Sequence, residues 1–165
     1  MITIVKATTN DFQAIQNIAY QTWPVAYGEI LSKAQLDFML EAFYNEEALK
    51  DSVLNKGHHF VLAKEGEEAL GFASYEHHYN QKQQTKIHKI YILPQTQGKG
   101  IGKVLIDFVE NIAKENDSTA LSLNVNRFNK ALYFYQKLGF EIVEEVNIEL
   151  DHGYLMEDYV MEKPL

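Results

Sequence analysis

Residues Ile90 to Lys114 read IYILPQTQGKGIGKVLIDFVENIAK, and this stretch constrains the chain more than any other. An apolar run stops at Pro94 and passes three alternating glycines, Gly98, Gly100 and Gly102. It resumes with Ile101, Leu105, Phe108 and Ile112 at helical spacing. A strand must therefore become a helix through a bend that lacks side chains at alternate residues. Such a bend lets backbone amides approach a ligand closely. A helix starting there turns its free N–H groups and the positive end of its dipole toward the same place. The pattern predicts an anion site, with phosphate as the usual occupant.

Two familiar phosphate bends are excluded by spacing. A P-loop needs glycine five residues ahead of the Gly-Lys pair and a Ser or Thr after it. Around Gly102-Lys103 those positions hold Gln97 and Val104. A dinucleotide fingerprint needs Gly-x-Gly-x-x-Gly. Starting from Gly98 the third position is Lys103, and from Gly100 it is Leu105.

The remaining chain supplies the frame. ITIVKA reads as a strand, and TTNDFQAIQNIAYQTW as a helix begun by cap-forming residues and closed by Pro24. Ser32 with Gln35 forms a capping box for a second helix, and Asn45 caps a third that ends near Gly57. From His58 the period changes to two. HHFVLAKEGEEALGFASYEHH is a hairpin, and TKIHKIYILP a longer strand. After the bend and its helix come the strand ALSLNVN, the helix NKALYFYQKL and two final strands, GFEIVEEVNIEL and LMEDYVMEKP. The order β–ααα–β–β–β–α–β–α–β–β alternates too little for a doubly wound sheet. It predicts one α+β domain over residues 1–165, with a central, mostly antiparallel sheet.

Composition narrows the partners. The formal charge is −8, so nucleic acid and anionic membrane are poor expectations and a cationic small molecule fits better. There are no cysteines, which excludes disulfides, thiolate metal sites and a cysteine nucleophile. The opening residues lack the pattern of a signal peptide, and no apolar run reaches the ~20 residues of a membrane span. A cytoplasmic protein, monomer or homodimer, is expected. The pairs His58-His59 and His77-His78 suggest metal at first sight. Neighbours on a strand point to opposite faces, however, so neither pair can chelate from one side and no metal is expected.

Gln97-Gly98-Lys99-Gly100-Ile101-Gly102 resembles the Arg/Gln-x-x-Gly-x-Gly/Ala signature of the GNAT acetyltransferase superfamily. NKALYFYQKLGF is similar to the family's second signature, and the element order agrees over nearly the whole chain. The resemblance implies the GNAT fold, with acetyl-coenzyme A as cosubstrate and its pyrophosphate on the amides of Gln97 to Lys103. It implies that Tyr91, Ile92 and Leu93 lie along the pantetheine arm, facing SLNV with Asn124, and that an amide near Ile92 polarises the acetyl carbonyl. Asn129 is similar to the family's arm-contacting asparagine, but it precedes Ala131 by two residues where three is usual, so Asn126 is a rival. Tyr135 occupies the place of the general acid, and helical spacing turns it inward with Ala131, Phe134 and Leu138. Many relatives carry a Glu on the strand before the bend. Here that strand has no carboxylate, and His88 is its one group that titrates near neutrality in the unperturbed state. Glu76 or a late carboxylate acting through water is the alternative base. Trp23, Tyr27 and Glu157 are implied to border the acceptor. The layout is similar to that of bacterial polyamine acetyltransferases. The expected activity is acetyl transfer to a small amine, with protein N-termini, amino sugars and a non-catalytic coenzyme A-binding domain as alternatives.

Overall fold

A computed structural model describes residues 1–165. Twelve principal elements follow in chain order: β1 (Ile2–Lys6), α1 (Phe12–Tyr27), α2 (Lys33–Tyr44), α3 (Glu46–Asn55), β2 (His59–Glu65), β3 (Glu68–Glu76), β4 (Gln84–Ile92), α4 (Ile101–Glu115), β5 (Ala120–Asn126), α5 (Ala131–Lys137), β6 (Glu141–Glu149) and β7 (Leu155–Pro164). The strands form one sheet in the order β1-β2-β3-β4-β5-β7-β6. Every neighbouring pair is antiparallel except β4 with β5. This is the α+β class expected from the sequence. No helix is long and apolar enough to cross a membrane.

Six consecutive residues of β3, Leu70 to Tyr75, are buried. Alternation sends successive side chains to opposite faces, so both faces there must be covered. The covers are α1 and α4, each packed on β3 and β4. Ile101, Leu105, Ile106, Val109 and Ala113 of α4 are buried, while Phe108 and Ile112, expected on the same face, are half-buried at its border. On the α1 face the core is aromatic: Trp23, Tyr44 and Phe72 are buried and Tyr91 packs among them.

Two local expectations change. Pro24 does not close α1, which continues to Tyr27 and donates from Gly28 N–H to the Pro24 carbonyl. A proline near a helix end costs only the hydrogen bond its own nitrogen cannot donate, so the last turn survives. That turn places Tyr27 beside Trp23 at 4.8 Å between ring centroids. The capping box at Ser32 is only half made. Ser32 Oγ accepts from Gln35 N–H at 3.1 Å, whereas the Gln35 side chain donates to Leu155 O at 2.8 Å and ties α2 to β7.

Two features of β4 set up the site. Its parallel pairing with β5 covers only Gln84–Ile87 against Ala120–Leu123, and beyond these residues the strands separate. Each keeps its outer partner: β4 stays on β3 as far as Ile92, and β5 stays on β7 as far as Asn126. The second feature is a bulge. Ser74 pairs with Lys89 but Tyr75 pairs with Ile87, so His88 is the extra residue.

The β3–β4 ladder is tight at Gly71, where an added Cβ would sit 2.9 Å from the Tyr91 carbonyl oxygen. Gly71→Ala should lower stability by ~1–3 kcal/mol through this overpacking. Chemical denaturation measures the loss, and a parental midpoint would show that the two strands can part without cost.

Candidate active site

The bend has the conformation its glycines imply. Gly98 and Gly100 have φ of 90° and 74°, and a Cβ at either would meet nothing within 4 Å, so here glycine answers to backbone geometry rather than to crowding. Gly102 is different: a Cβ there would lie 3.0 Å from the Phe134 ring, so this glycine lets α4 pack on α5. Gly100 caps α4 without a side-chain hydrogen bond. No N–H from Gly98 to Lys103 finds an acceptor within the chain. Six amide donors and a helix N-terminus are thus left without intrachain partners along the bend.

From the bend a cleft of about 930 Å³ runs along the gap between β4 and β5. Of the residues expected to hold a cofactor, Tyr91, Ile92, Gln97, Gly98, Gly100, Ile101, Gly102 and Lys103 line it, as do Asn124 and Asn129. Leu93, Lys99 and Asn126 do not. Leu93 is buried, and its N–H donates to Leu70 O at 2.8 Å. The Lys99 ammonium turns toward Glu65 at 3.9 Å. Asn126 accepts from Phe128 N–H at 2.9 Å and lines the second cavity instead. Because Leu93 N–H points to β3, strand alternation turns Ile92 N–H to the other side, into the gap. Asn124 Oδ1 accepts from the Lys86 ammonium at 2.6 Å. Asn129 Oδ1 accepts from Ala131 N–H at 2.9 Å and fixes the start of α5.

A second cavity of about 240 Å³ lies on the α1 side, walled by Trp23, Tyr27, Phe43, Tyr44 and Tyr91 and closed by Leu155, Met156 and Asp158. Glu157, expected here, lines neither cavity. Strand alternation along β7 presents its neighbour Asp158 instead, 4% exposed. Burial raises the Asp158 carboxyl above its usual value, opposed by Asn124, Lys86 and Arg127. The two cavities share Tyr27, His88, Lys89, Tyr91 and Asn124, and so meet at the bulge in β4. The hydroxyls of Tyr27 and Tyr91 lie 3.0 Å apart there. Lys89 was not legible beforehand. Strict alternation admits only one of His88 and Lys89 to a given face, but the bulge brings both to the junction.

Tyr135 is 8% exposed, packs edge-on to Phe140 and lines the cleft. Burial, then the neighbouring Tyr27, raise its hydroxyl pKa, so it stays protonated throughout the physiological range. His88 also lies where expected, at the junction, but not with a near-neutral pKa. Burial, then Lys89, Lys86 and Lys56, lower it to about 3. A neutral His88 whose Nε2 is 2.9 Å from Glu76 Oε1 must donate its proton there, which leaves Nδ1 as the acceptor. His58 stacks on His88 at 3.9 Å and 13°, and burial, then His88, lower its pKa to about 4. His58 and His59 diverge, since His59 stacks on Tyr75 rather than on this group, whereas His77 and His78 follow the end of β3 in a turn. One member of the first pair nevertheless gathers with His88 and Glu76, their ligand atoms all within 4.8 Å of one another. Both Nε2 atoms face Glu76 Oε1, at 3.5 Å from His58 and 2.9 Å from His88, while Lys56, Lys86 and Lys89 oppose a dication there.

Both imidazoles are held neutral in the fold but protonate near 6.5 when unfolded. Their contribution is therefore complete above pH 6.5 and lost as pH falls through about 4 and then about 3. Each ring should add up to about 1.4 kcal/mol per pH unit to the acid loss of stability. His58→Phe keeps the stack and removes one titration, so its stability should fall less steeply between pH 6.5 and 4 than the parent's. Equal slopes would mean that His58 is not held neutral.

Comparison with known proteins agrees with this geometry. Residues 29–162 match the family model described as an acetyltransferase (GNAT) domain. A spermidine N(1)-acetyltransferase of Thermoplasma acidophilum is 24% identical, over 98% of this chain and 96% of its own. A peptidyl-lysine N-acetyltransferase of Salmonella typhimurium is 28% identical over 68% of this chain and 71% of its own. Among solved structures, the PaiA N-acetyltransferase of Thermoplasma acidophilum, in complex with coenzyme A, superposes with a TM-score of 0.82 and 25% identity, covering 100% of this chain and 99% of that one. A bend of six free amides, a gap between two parallel strands and a matching family model lead to one conclusion: the chain belongs to the GNAT family of N-acetyltransferases.

Proposed function

We propose that this protein transfers an acetyl group from acetyl-coenzyme A directly to the primary amine of a small acceptor. The observation that carries the reading is the junction of two cavities at the β4–β5 gap, beside the Tyr135 side chain. The larger cleft and its six free amides fit a long ligand with a diphosphate at one end. Acetyl-coenzyme A would supply an activated acyl group on a thioester. The chain's own residues do the rest. Ile92 N–H, turned into the gap, stabilises negative charge on the carbonyl oxygen. Tyr135 holds the proton that the departing thiolate takes. His88 Nδ1, with Nε2–H anchored on Glu76, accepts a hydrogen bond from the incoming amine. Proton removal to bulk then runs by way of Glu76 and water, because a histidine lowered to about 3 is too weak a base to keep the proton.

The narrow aromatic cavity favours a small acceptor over a protein terminus or a sugar. A polyamine is a second reading, favoured by one observation: a relative that covers almost the whole chain is named a spermidine N(1)-acetyltransferase. A screen of amines against acetyl-coenzyme A, reading thiol release, tests the reaction itself.

Coenzyme A at about 100 times its Kd should stabilise the fold by roughly 2.7 kcal/mol. Gly100→Glu should abolish that shift, since it forces a side chain into positive φ and sets a carboxylate among the amide donors. A full shift in this variant would remove the bend from the cofactor site. Tyr135→Phe should lower kcat by about 10²–10⁴-fold with coenzyme A affinity unchanged, the range typical of a general acid. Parental turnover, with chemistry rate-limiting, would leave Tyr135 as a packing residue only.

A further inference from the structure

The acceptor cavity contains one charge that nothing in the chain neutralises. Lys89 lines both cavities, and its ammonium lies 5.5 Å from the centre of the Tyr44 ring, in the α1-side cavity. It forms no ion pair, and the only charge that perturbs it is another cation, Lys56. The one carboxylate in the cavity is already committed: Asp158 interacts with Asn124, Lys86 and Arg127. Lys86 in turn donates to Asn124 Oδ1 at 2.6 Å. Asp158 thus faces cations other than Lys89, which is left as the one cation of the cavity lining and without a carboxylate partner. Burial, then Lys56, lower Lys89 to about 8, so it remains mainly protonated at neutral pH.

We propose that Lys89 anchors an acid group on the acceptor, so that the molecule acetylated is an amine that also carries a carboxylate. The proposal rests on the acetyltransferase reading above and specifies its acceptor. A half-buried ammonium beside an aromatic ring with no counter-charge is costly to hold alone and gains most when a ligand brings the missing anion. One uncompensated positive charge matches a carboxylate better than a doubly charged phosphate. The cosubstrate does not supply that anion at this point. Its phosphates belong at the bend, which lies beyond Ile92, and Ile92 is itself three residues, about 10 Å of strand, from Lys89. A diamine or polyamine would bring a second cation against Lys89, the arrangement that like charges oppose. The overall charge of −8 does not alter this, because distant exposed charges are screened beyond about 8–10 Å while the cavity charge is not.

The test uses a matched set of acceptors: an alkylamine, a diamine and an ω-amino carboxylate of equal chain length, together with α-amino acids. Thiol release gives kcat/KM for each. An amino carboxylate should be preferred over the plain alkylamine by about 10- to 100-fold, the range for a hydrogen bond to a charged group. Lys89→Met, which keeps the volume and removes the charge, should erase that preference, so that the kcat/KM ratio of amino carboxylate to alkylamine falls to about one whatever the absolute rates. A diamine as best acceptor, or an unchanged ranking in Lys89→Met, overturns the proposal while leaving the acetyltransferase reading intact. An equal loss of kcat for every acceptor also overturns it, since Lys89 would then serve the reaction rather than its specificity. Binding gives a readout free of turnover. With coenzyme A present, the amino carboxylates should raise the melting temperature of the parent but not of Lys89→Met. No shift in the parent with any of them sinks the anchor, whatever the turnover.

Discussion

The whole site depends on a pairing that stops early. Strands β4 and β5 run parallel, share four residue pairs and then diverge, although both continue for several residues more. They can separate because each is held on its outer side, β4 by β3 and β5 by β7. The close β3–β4 approach at Gly71 keeps the β4 arm from drifting back toward β5. Backbone groups on the inner edges of the gap are left without ladder partners, and polar groups in such a place need water or a ligand. A ligand with amides of its own, running between the strands with its charged end at the bend, would satisfy that requirement.

The second determinant is the bulge at His88. Without it, His88 and Lys89 would point to opposite faces and only one could reach the junction of the cavities. With it, an imidazole and an ammonium arrive side by side, and each shapes the other: Lys89 is one reason His88 stays neutral. Glu76, at the end of β3, takes the His88 proton as a hydrogen bond, and His58 covers the ring from the other side. The site thus has a fixed tautomer and no near-neutral histidine.

The acceptor side is a matter of charge placement more than of charge total. Asp158 interacts with Asn124, Lys86 and Arg127, whereas Lys89 stands apart from that group, against the Tyr44 ring. Tyr27 belongs to the same wall because α1 runs a turn past Pro24. The aromatic cavity is therefore built by a helix end, a strand bulge and the last strand together.

The cofactor half was largely legible in the linear sequence because it is local. Three glycines, a following helix and its apolar stripe lie within 25 consecutive residues, and their φ angles and free amides follow from residue type. The inward turn of Tyr135 is equally local, a consequence of helical spacing within α5. The acceptor half was not legible. Asp158 rather than Glu157 faces the cavity because of how β7 registers on β5 and β6, and a shift of one residue exchanges the two faces. The bulge that admits Lys89 exists only in the pairing of β3 with β4, and no residue type announces it. His58 and His59 diverge as adjacent residues on an extended chain should. Yet the group formed by His58, Glu76 and His88 joins three separate segments that meet only in the sheet. Sequence alone determined the element order and the glycine bend, since both rest on periodicity and on glycine's freedom of φ. Tertiary structure decided which charges meet at the junction, because strand register and burial are properties of paired segments, not of any one of them.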